Sequence, residues 1–171
     1  MRALALRYFN PIGAHPSSLI GELPRGVPSN LIPYLTQTVA GIRKELIVHG
    51  DDYPTPDGSC IRDYIHVIDL ARAHVQALRY LDKQPSHYYD VFNVGTGYGN
   101  SVLEVIQTFE TATHQKVPYT IGPRRPGDVV QIYADVSKAK DRLDWQADKS
   151  LEDSLRDAWN WQQKLSTKRK S

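Results

Sequence analysis

The stretch from 91 to 114 constrains the chain more than any other. VFNV (91–94) reads as a strand, GTGYG (95–99) as a tight turn, and Ser101-Val102-Leu103-Glu104 as a capping box opening a helix over 101–114. In such a box the Ser hydroxyl accepts from the N–H three residues on, and the Glu carboxylate reaches back to the Ser N–H. The helix start is therefore specified locally. A strand that feeds through glycines into a capped helix is the repeating unit of mixed α/β architecture.

The rest of the chain follows the same alternation. Residues 2–9 (RALALRYF) predict a strand that begins almost at Met1, an unusual start for a free-standing domain. Asn10 to Asn30 is rich in Pro, Gly and Ser and reads as a long functional loop. Ser29 or Asn30 can cap a helix with Leu31, Ile32, Leu35, Val39 and Ile42 on one face. LIVH (46–49) predicts a strand, GDDYPTPDGS a polar turn-rich segment, IRDYIH (61–66) an extended piece, and 67–83 a helix. A strand over Val117–Ile121, a loop over PRRPGD (123–128) and a short strand near Ile132–Ala134 come next, then a helix capped by Asp135 or Ser137. Ser150-Leu151-Glu152-Asp153 opens a terminal helix carrying Leu155, Ala158, Trp159 and Trp161, and residues 165–171 read as a disordered basic tail.

Composition narrows the partners. Among 171 residues, 21 Lys and Arg face 19 Asp and Glu, a net charge of +2, too even for a chain whose main partner is a nucleic acid or an anionic membrane. No apolar run approaches the roughly 18 residues of a membrane span, and no signal-peptide pattern opens the chain. Cys60 is the one cysteine, so no internal disulfide can form. These features predict a cytoplasmic protein.

The familiar catalytic constellations are missing. In Gly95-Thr96-Gly97-Tyr98-Gly99 the third glycine comes one residue too early for a dinucleotide fingerprint, and no carboxylate follows the next strand to take a ribose. The six histidines are scattered without metal-ligand spacing, Asp51, Asp52 and Asp57 lack the pattern of a calcium loop, and there is no nucleophile elbow. None of the ten tyrosines has a lysine four residues on. Anion binding is better supported. Arg62 follows a glycine-containing turn, and Arg124-Arg125 sit in a loop bounded by Pro and Gly, where a guanidinium offers a planar fork to phosphate oxygens. Asn30 stands at a helix start with free N–H groups, and Asp128 could accept from a sugar hydroxyl. Surface ion pairing is the alternative use of both arginines. Asp63 and Asp69 read as pins for local backbone or helix ends.

Taken in order, RYFNP (7–11), SNLIP (29–33), GDDYPTPDGSCIRDYIHVIDLARAH (50–74), NVGTGYGNSVLEV (93–105) and PRRPGD (123–128) resemble the UDP-glucose 4-epimerases, members of the extended short-chain dehydrogenases/reductases. YPTPDG is the segment most particular to the 4-epimerases; RDYIHVxDLA is shared across relatives acting on nucleotide sugars, including dehydratases. The resemblance covers the whole chain but only the C-terminal, substrate-binding portion of the family's fold. It implies that the N-terminal Rossmann half, with its glycine fingerprint and Tyr-x-x-x-Lys pair, is missing from this sequence.

The resemblance further implies interconversion of UDP-glucose and UDP-galactose in galactose metabolism, with NAD taking and returning the hydride at C4. This chain would grip the UDP-hexose by its UDP handle and be inactive alone. Asn10 would contact the hexose or the neighbouring phosphate, Asn30 and Leu31 would line the diphosphate site, and Arg62 and Arg125 would clamp it. Ile47, Val48 and His49 would flank the uracil, Asp128 would bind the ribose, and Tyr8 would touch the nicotinamide end of NAD. His49 replaces the phenylalanine common in the family and stacks less strongly. Ile132, intermediate in size at a position that affects N-acetylated hexoses, implies partial room for an N-acetyl group. A homodimer is one assembly open to the complete enzyme. Two other readings remain: a UDP-sugar-binding module without catalysis, and an inactive truncated remnant.

Overall fold

The computed structural model describes residues 1–168. Strand β1 (Arg2–Tyr8) runs parallel to β6 (Tyr88–Val94) in register from Arg2↔Tyr88 to Tyr8↔Val94. At Phe9 the chain changes neighbours. Phe9 N–H donates to Val94 O, and the next amide, Asn10 N–H, donates to Asp63 O, so β2 (Asn10–Ile12) pairs instead with β5 (Tyr64–His66). This switch of partner places Asn10 beside the cleft described below.

Helix α1 (Leu31–Val39) precedes β3 (Leu46–His49), which lies parallel to β8 (Tyr119–Gly122). A mixed sheet sets β4 (Ile61–Arg62) between β7 (Asn100–Ser101) and β9 (Gln131–Ile132). Helices α2 (Val67–Asp82), α3 (Val102–Thr113), α4 (Ser137–Leu143) and α5 (Leu151–Lys168) complete the fold. The α/β class follows from these elements.

Two apolar clusters hold the layers together. One joins α1, β3, α3 and α5 through Leu35, Val48, Val105, Phe109 and Leu155. The other packs Ala73 and Ala77 of α2 and Ala139 and Leu143 of α4 against Phe92 and Val94 of β6. Burying a side chain of this size contributes about 1.5–3 kcal/mol relative to exposure. Trp145 closes the second cluster, its indole N–H donating to Asp69 O.

Local signals formed as written where they were self-contained. Ser101 Oγ accepts from Glu104 N–H and the Glu104 carboxylate from Ser101 N–H, the full capping box. Ser150 and Asp153 make the same reciprocal pair at the start of α5. Other expectations need correcting. Helix α1 stops at Val39, because Ile42 N–H folds back onto Gln37 O, leaving Ile42 outside the helix and 45% exposed. Asn30 occupies the N-cap of α1, but its amide donates to Glu22 Oε1 and caps nothing. Asp135 stands one residue before the N-cap of α4 and accepts from the Ser137 N–H and hydroxyl. Strand β6 starts at Tyr88, three residues earlier than the apolar run, and β8 starts at Tyr119, two residues later than expected. The tail expected from Leu165 is helical as far as Lys168, where the Ser166 and Thr167 hydroxyls bond the carbonyls of Gln162 and Gln163. The remainder of that tail, 169–171, lies outside the described residues.

The IRDYIH run is divided at Asp63, whose side chain is fully buried. Its carboxylate accepts from Thr96 N–H, the Thr96 hydroxyl, Gly97 N–H and Ala134 N–H. One anion thereby fastens the β4–β5 junction, the glycine turn after β6 and the chain after β9. Gly95 is required by this approach: a Cβ there would meet Asp63 Oδ2 at 2.4 Å. Asp69 does the same at α2, accepting from Asp148 and Lys149 N–H. Both carboxylates are structural pins, but for distant segments rather than for the local backbone that the sequence reading expected.

Candidate functional site: a cleft with two arginines and one carboxylate

A cleft of about 550 Å³ opens where β2, the start of α1, the end of β3 and the 123–128 loop meet. Asn10, Asn30, Leu31, Ile47, His49, Arg62, Arg125 and Asp128 all line it. Eight of the residues read from the sequence, spread over more than a hundred positions, thus share one cleft.

Each is positioned by its element. Strand β3 alternates, with Leu46 and Val48 buried and Ile47 and His49 exposed; Ile47 and His49 line the cleft, and Leu46, though buried, also borders it. Val48 does not; at 1% exposure it belongs to the core, and the expectation for its side chain is corrected. His49 lies close to the carbonyl of Pro123, with Nδ1 3.3 Å from the oxygen. A carbonyl only accepts, so Nδ1 carries the proton, and the ring is tied to the 123–128 loop. Helix α1 has no acidic residue in its first turn, and the Asn30 amide is turned to Glu22. Its first N–H groups therefore keep their partial positive charge at the cleft.

The guanidiniums are held differently. Arg62 Nη1 donates to Ile61 O at 2.8 Å and to Val129 O at 2.7 Å, which fixes the side chain before any ligand arrives. Its Nη2 is 3.6 Å from Asp128 Oδ1, and Arg125 Nη2 donates to the same oxygen at 2.8 Å. The hydrogen bond and charge of Asp128 raise the Arg125 pKa above its ordinary value. Ion pairing and convergence on one cleft, alternatives at the level of sequence, occur together. Arg124 separates from its neighbour. It pairs with Asp52 at 2.7 Å and lies over the Tyr53 ring at 4.2 Å, and its hydrogen bond holds the Asp52 carboxyl below the usual range. That contact fastens the 123–128 loop to the 50–59 turn.

Two residues expected at the site stand at its margin. Ile132 pairs in register with Arg62 across β4 and β9 and is 46% exposed, outside the cleft walls. Tyr8, 49% exposed, donates its hydroxyl proton to His74 Nε2 at 2.9 Å. The donor is assigned because His74 Nδ1 is committed to Leu70 O. Phe9, Tyr34, Cys60 and Tyr64 also line the cleft without having been expected there. Phe9 and Tyr34 are each adjacent, in sequence or within a turn, to a residue that was. Cys60, buried directly after the 50–59 turn, carried no binding role in the sequence reading. Among the described residues, no group of three His, Cys, Asp or Glu side chains could hold a metal ion, and no helix is long and apolar enough to cross a membrane.

The family model described as GDP-mannose 4,6 dehydratase matches residues 1–158. The chain belongs to that family. These extended short-chain dehydrogenases/reductases include its most similar relatives, and the matched region is their C-terminal half. The chain is 54% identical over 164 residues to UDP-glucose 4-epimerase 3 of Oryza sativa subsp. japonica, covering 96% of this chain and 44% of that one. The structure of the UDP-glucose 4-epimerase from Stenotrophomonas maltophila, with bound NAD and formylated UDP-arabinopyranose, superimposes with a TM-score of 0.95 at 52% identity. It covers 98% of this chain and 49% of that one. The Bifidobacterium longum enzyme, in complex with NAD+ and UDP, gives 0.90 at 50% identity, over 95% and 48%. The chain thus spans about half the length of the extended short-chain dehydrogenases/reductases it matches.

Proposed function

We propose that this chain is the UDP-hexose-binding portion of a UDP-glucose 4-epimerase. The reading is carried by one observation: Arg62, Arg125, the start of α1 and Asp128 line one cleft of about 550 Å³, which sets two guanidiniums, a helix start and a carboxylate together. Arg62 and Arg125 bind the diphosphate oxygens, joined by the N–H groups of α1 beside Asn30 and Leu31. Ile47 and His49 flank the uracil, Asp128 accepts from the ribose hydroxyls, and Asn10 meets the hexose end. Two relatives with bound UDP-containing ligands support the assignment. The names of the most similar curated relatives favour epimerisation over dehydration.

The residues present do not fit an NAD cradle. In the glycine turn that leads from β6 toward α3, the N–H groups of Thr96 and Gly97 are already occupied by the Asp63 carboxylate. A pyrophosphate there would meet a buried anion. Redox chemistry at the sugar C4 therefore belongs to another polypeptide segment, and this chain binds, orients and releases the substrate. Strand β1 pairs along one edge only among the described residues, and Val75 and Leu78 of α2 lie exposed, at 48% and 64%. These surfaces are suited to receive that segment.

Calorimetric titration of the 171-residue chain with UDP tests the reading. Binding is expected, and Arg125→Ala should weaken it by about 1.5–3 kcal/mol through loss of a charge-assisted bidentate contact. No UDP binding by a folded chain, or unchanged affinity in Arg125→Ala, would overturn the assignment.

A further inference from the structure

Asp128 sets one carboxylate against two cations. Its Oδ1 accepts from Arg125 Nη2 and stands near Arg62 Nη2, and all three side chains line the same cleft. Their freedom differs. Arg62 is 15% exposed and bound to two carbonyls, and Asp128 is 13% exposed. Arg125 is 60% exposed, and Asp128 is its one side-chain partner among the described residues. Arg125 can therefore turn toward a ligand, whereas Asp128 and Arg62 remain.

An anion entering this cleft meets the Asp128 charge at the same place as the two guanidiniums. If it draws Arg125 away, the carboxylate loses its closest partner while largely shielded from water, a costly state. A ligand that brings hydroxyl groups beside its diphosphate repairs that loss, because a vicinal diol donates to the carboxylate. A bare anion cannot. We propose that Asp128 is a selectivity residue that makes the cleft reject free inorganic polyphosphate in favour of a diphosphate carried on a diol-bearing sugar. The selection works by penalising the wrong ligand. It rests on the diphosphate reading given above.

The test titrates the 171-residue chain and Asp128→Asn with inorganic pyrophosphate and with UDP. Asp128→Asn removes the charge and preserves the size. Pyrophosphate should bind the variant roughly fivefold tighter or more, and the preference for UDP over pyrophosphate should fall by roughly tenfold. A ligand series on the unaltered chain makes the test independent of how the variant folds: 2′,3′-dideoxy-UDP should bind roughly tenfold more weakly than UDP. Unchanged or weaker pyrophosphate affinity in a folded Asp128→Asn, or equal affinity for UDP and its dideoxy form, would overturn the proposal. If the unaltered chain fails to bind UDP, the function proposed above fails, while tighter pyrophosphate binding by Asp128→Asn would still establish the exclusion.

Discussion

Replacing Asp63 by Asn probes a buried carboxylate that joins three segments of the chain. Oδ1 accepts from Thr96 N–H and its hydroxyl, and Oδ2 accepts from Gly97 N–H and Ala134 N–H, at 2.7–3.1 Å. Asn keeps one oxygen and puts an NH₂ where the other stood, so either pair of donors loses its acceptor. An orphaned buried donor costs about 1–3 kcal/mol, which places the total at about 3–5 kcal/mol after partial relaxation. Domains are typically stable by about 5–15 kcal/mol, and at this size each kcal/mol moves Tm by about 2–4 °C. Asp63→Asn should therefore melt about 6–20 °C below the unaltered chain, read by circular dichroism and confirmed by a lower urea midpoint. A melt within about 2 °C would refute the claim that this carboxylate holds three segments together.

The remaining predictions concern backbone, pH and completeness. Gly58 has φ +79°, and a Cβ there would lie 1.8 Å from Asp51 O, so Gly58→Ala should disrupt the 50–59 turn and destabilise by about 2–4 kcal/mol, measured by chemical denaturation. His66 is fully buried; Nδ1 accepts from Ile68 N–H and Nε2 faces Asp157, and burial outweighs Asp157 and holds its pKa below the ordinary value. The unfolded chain then binds the proton more readily, so stability should fall as pH drops through about 6.5, and His66→Asn should lose most of that slope in melts between about pH 7.5 and 5.5. Mixing the chain with the separately expressed N-terminal half of a similar 4-epimerase should restore UDP-galactose turnover that neither piece shows alone. A stable complex without turnover would contradict the proposed division of labour.

What could be read in advance was what is local. The boxes at Ser101–Glu104 and Ser150–Asp153 satisfy their own N–H groups within one turn, and both formed as read. Residues whose role depends on distant segments were harder. Asp63 looks like a local pin, but its partners lie 33, 34 and 71 positions away. In LIVH three of four residues are apolar, so composition could not say which face turns inward; burial in the cluster shared with α1 decides for Leu46 and Val48 and leaves Ile47 and His49 exposed at the cleft. Arg124 and Arg125 are neighbours in sequence, yet one turns to Asp52 and the other to Asp128. The cleft residues were legible through family motifs, since no spacing rule places Asn10 and Arg125 in one cleft.

A crystal structure of the 171-residue chain grown with UDP confronts the central claim most directly. The diphosphate should lie between the guanidiniums of Arg62 and Arg125, with the uracil against His49 and the ribose hydroxyls on Asp128. Density for UDP at any other surface, with Arg125 still bound to Asp128, would contradict it.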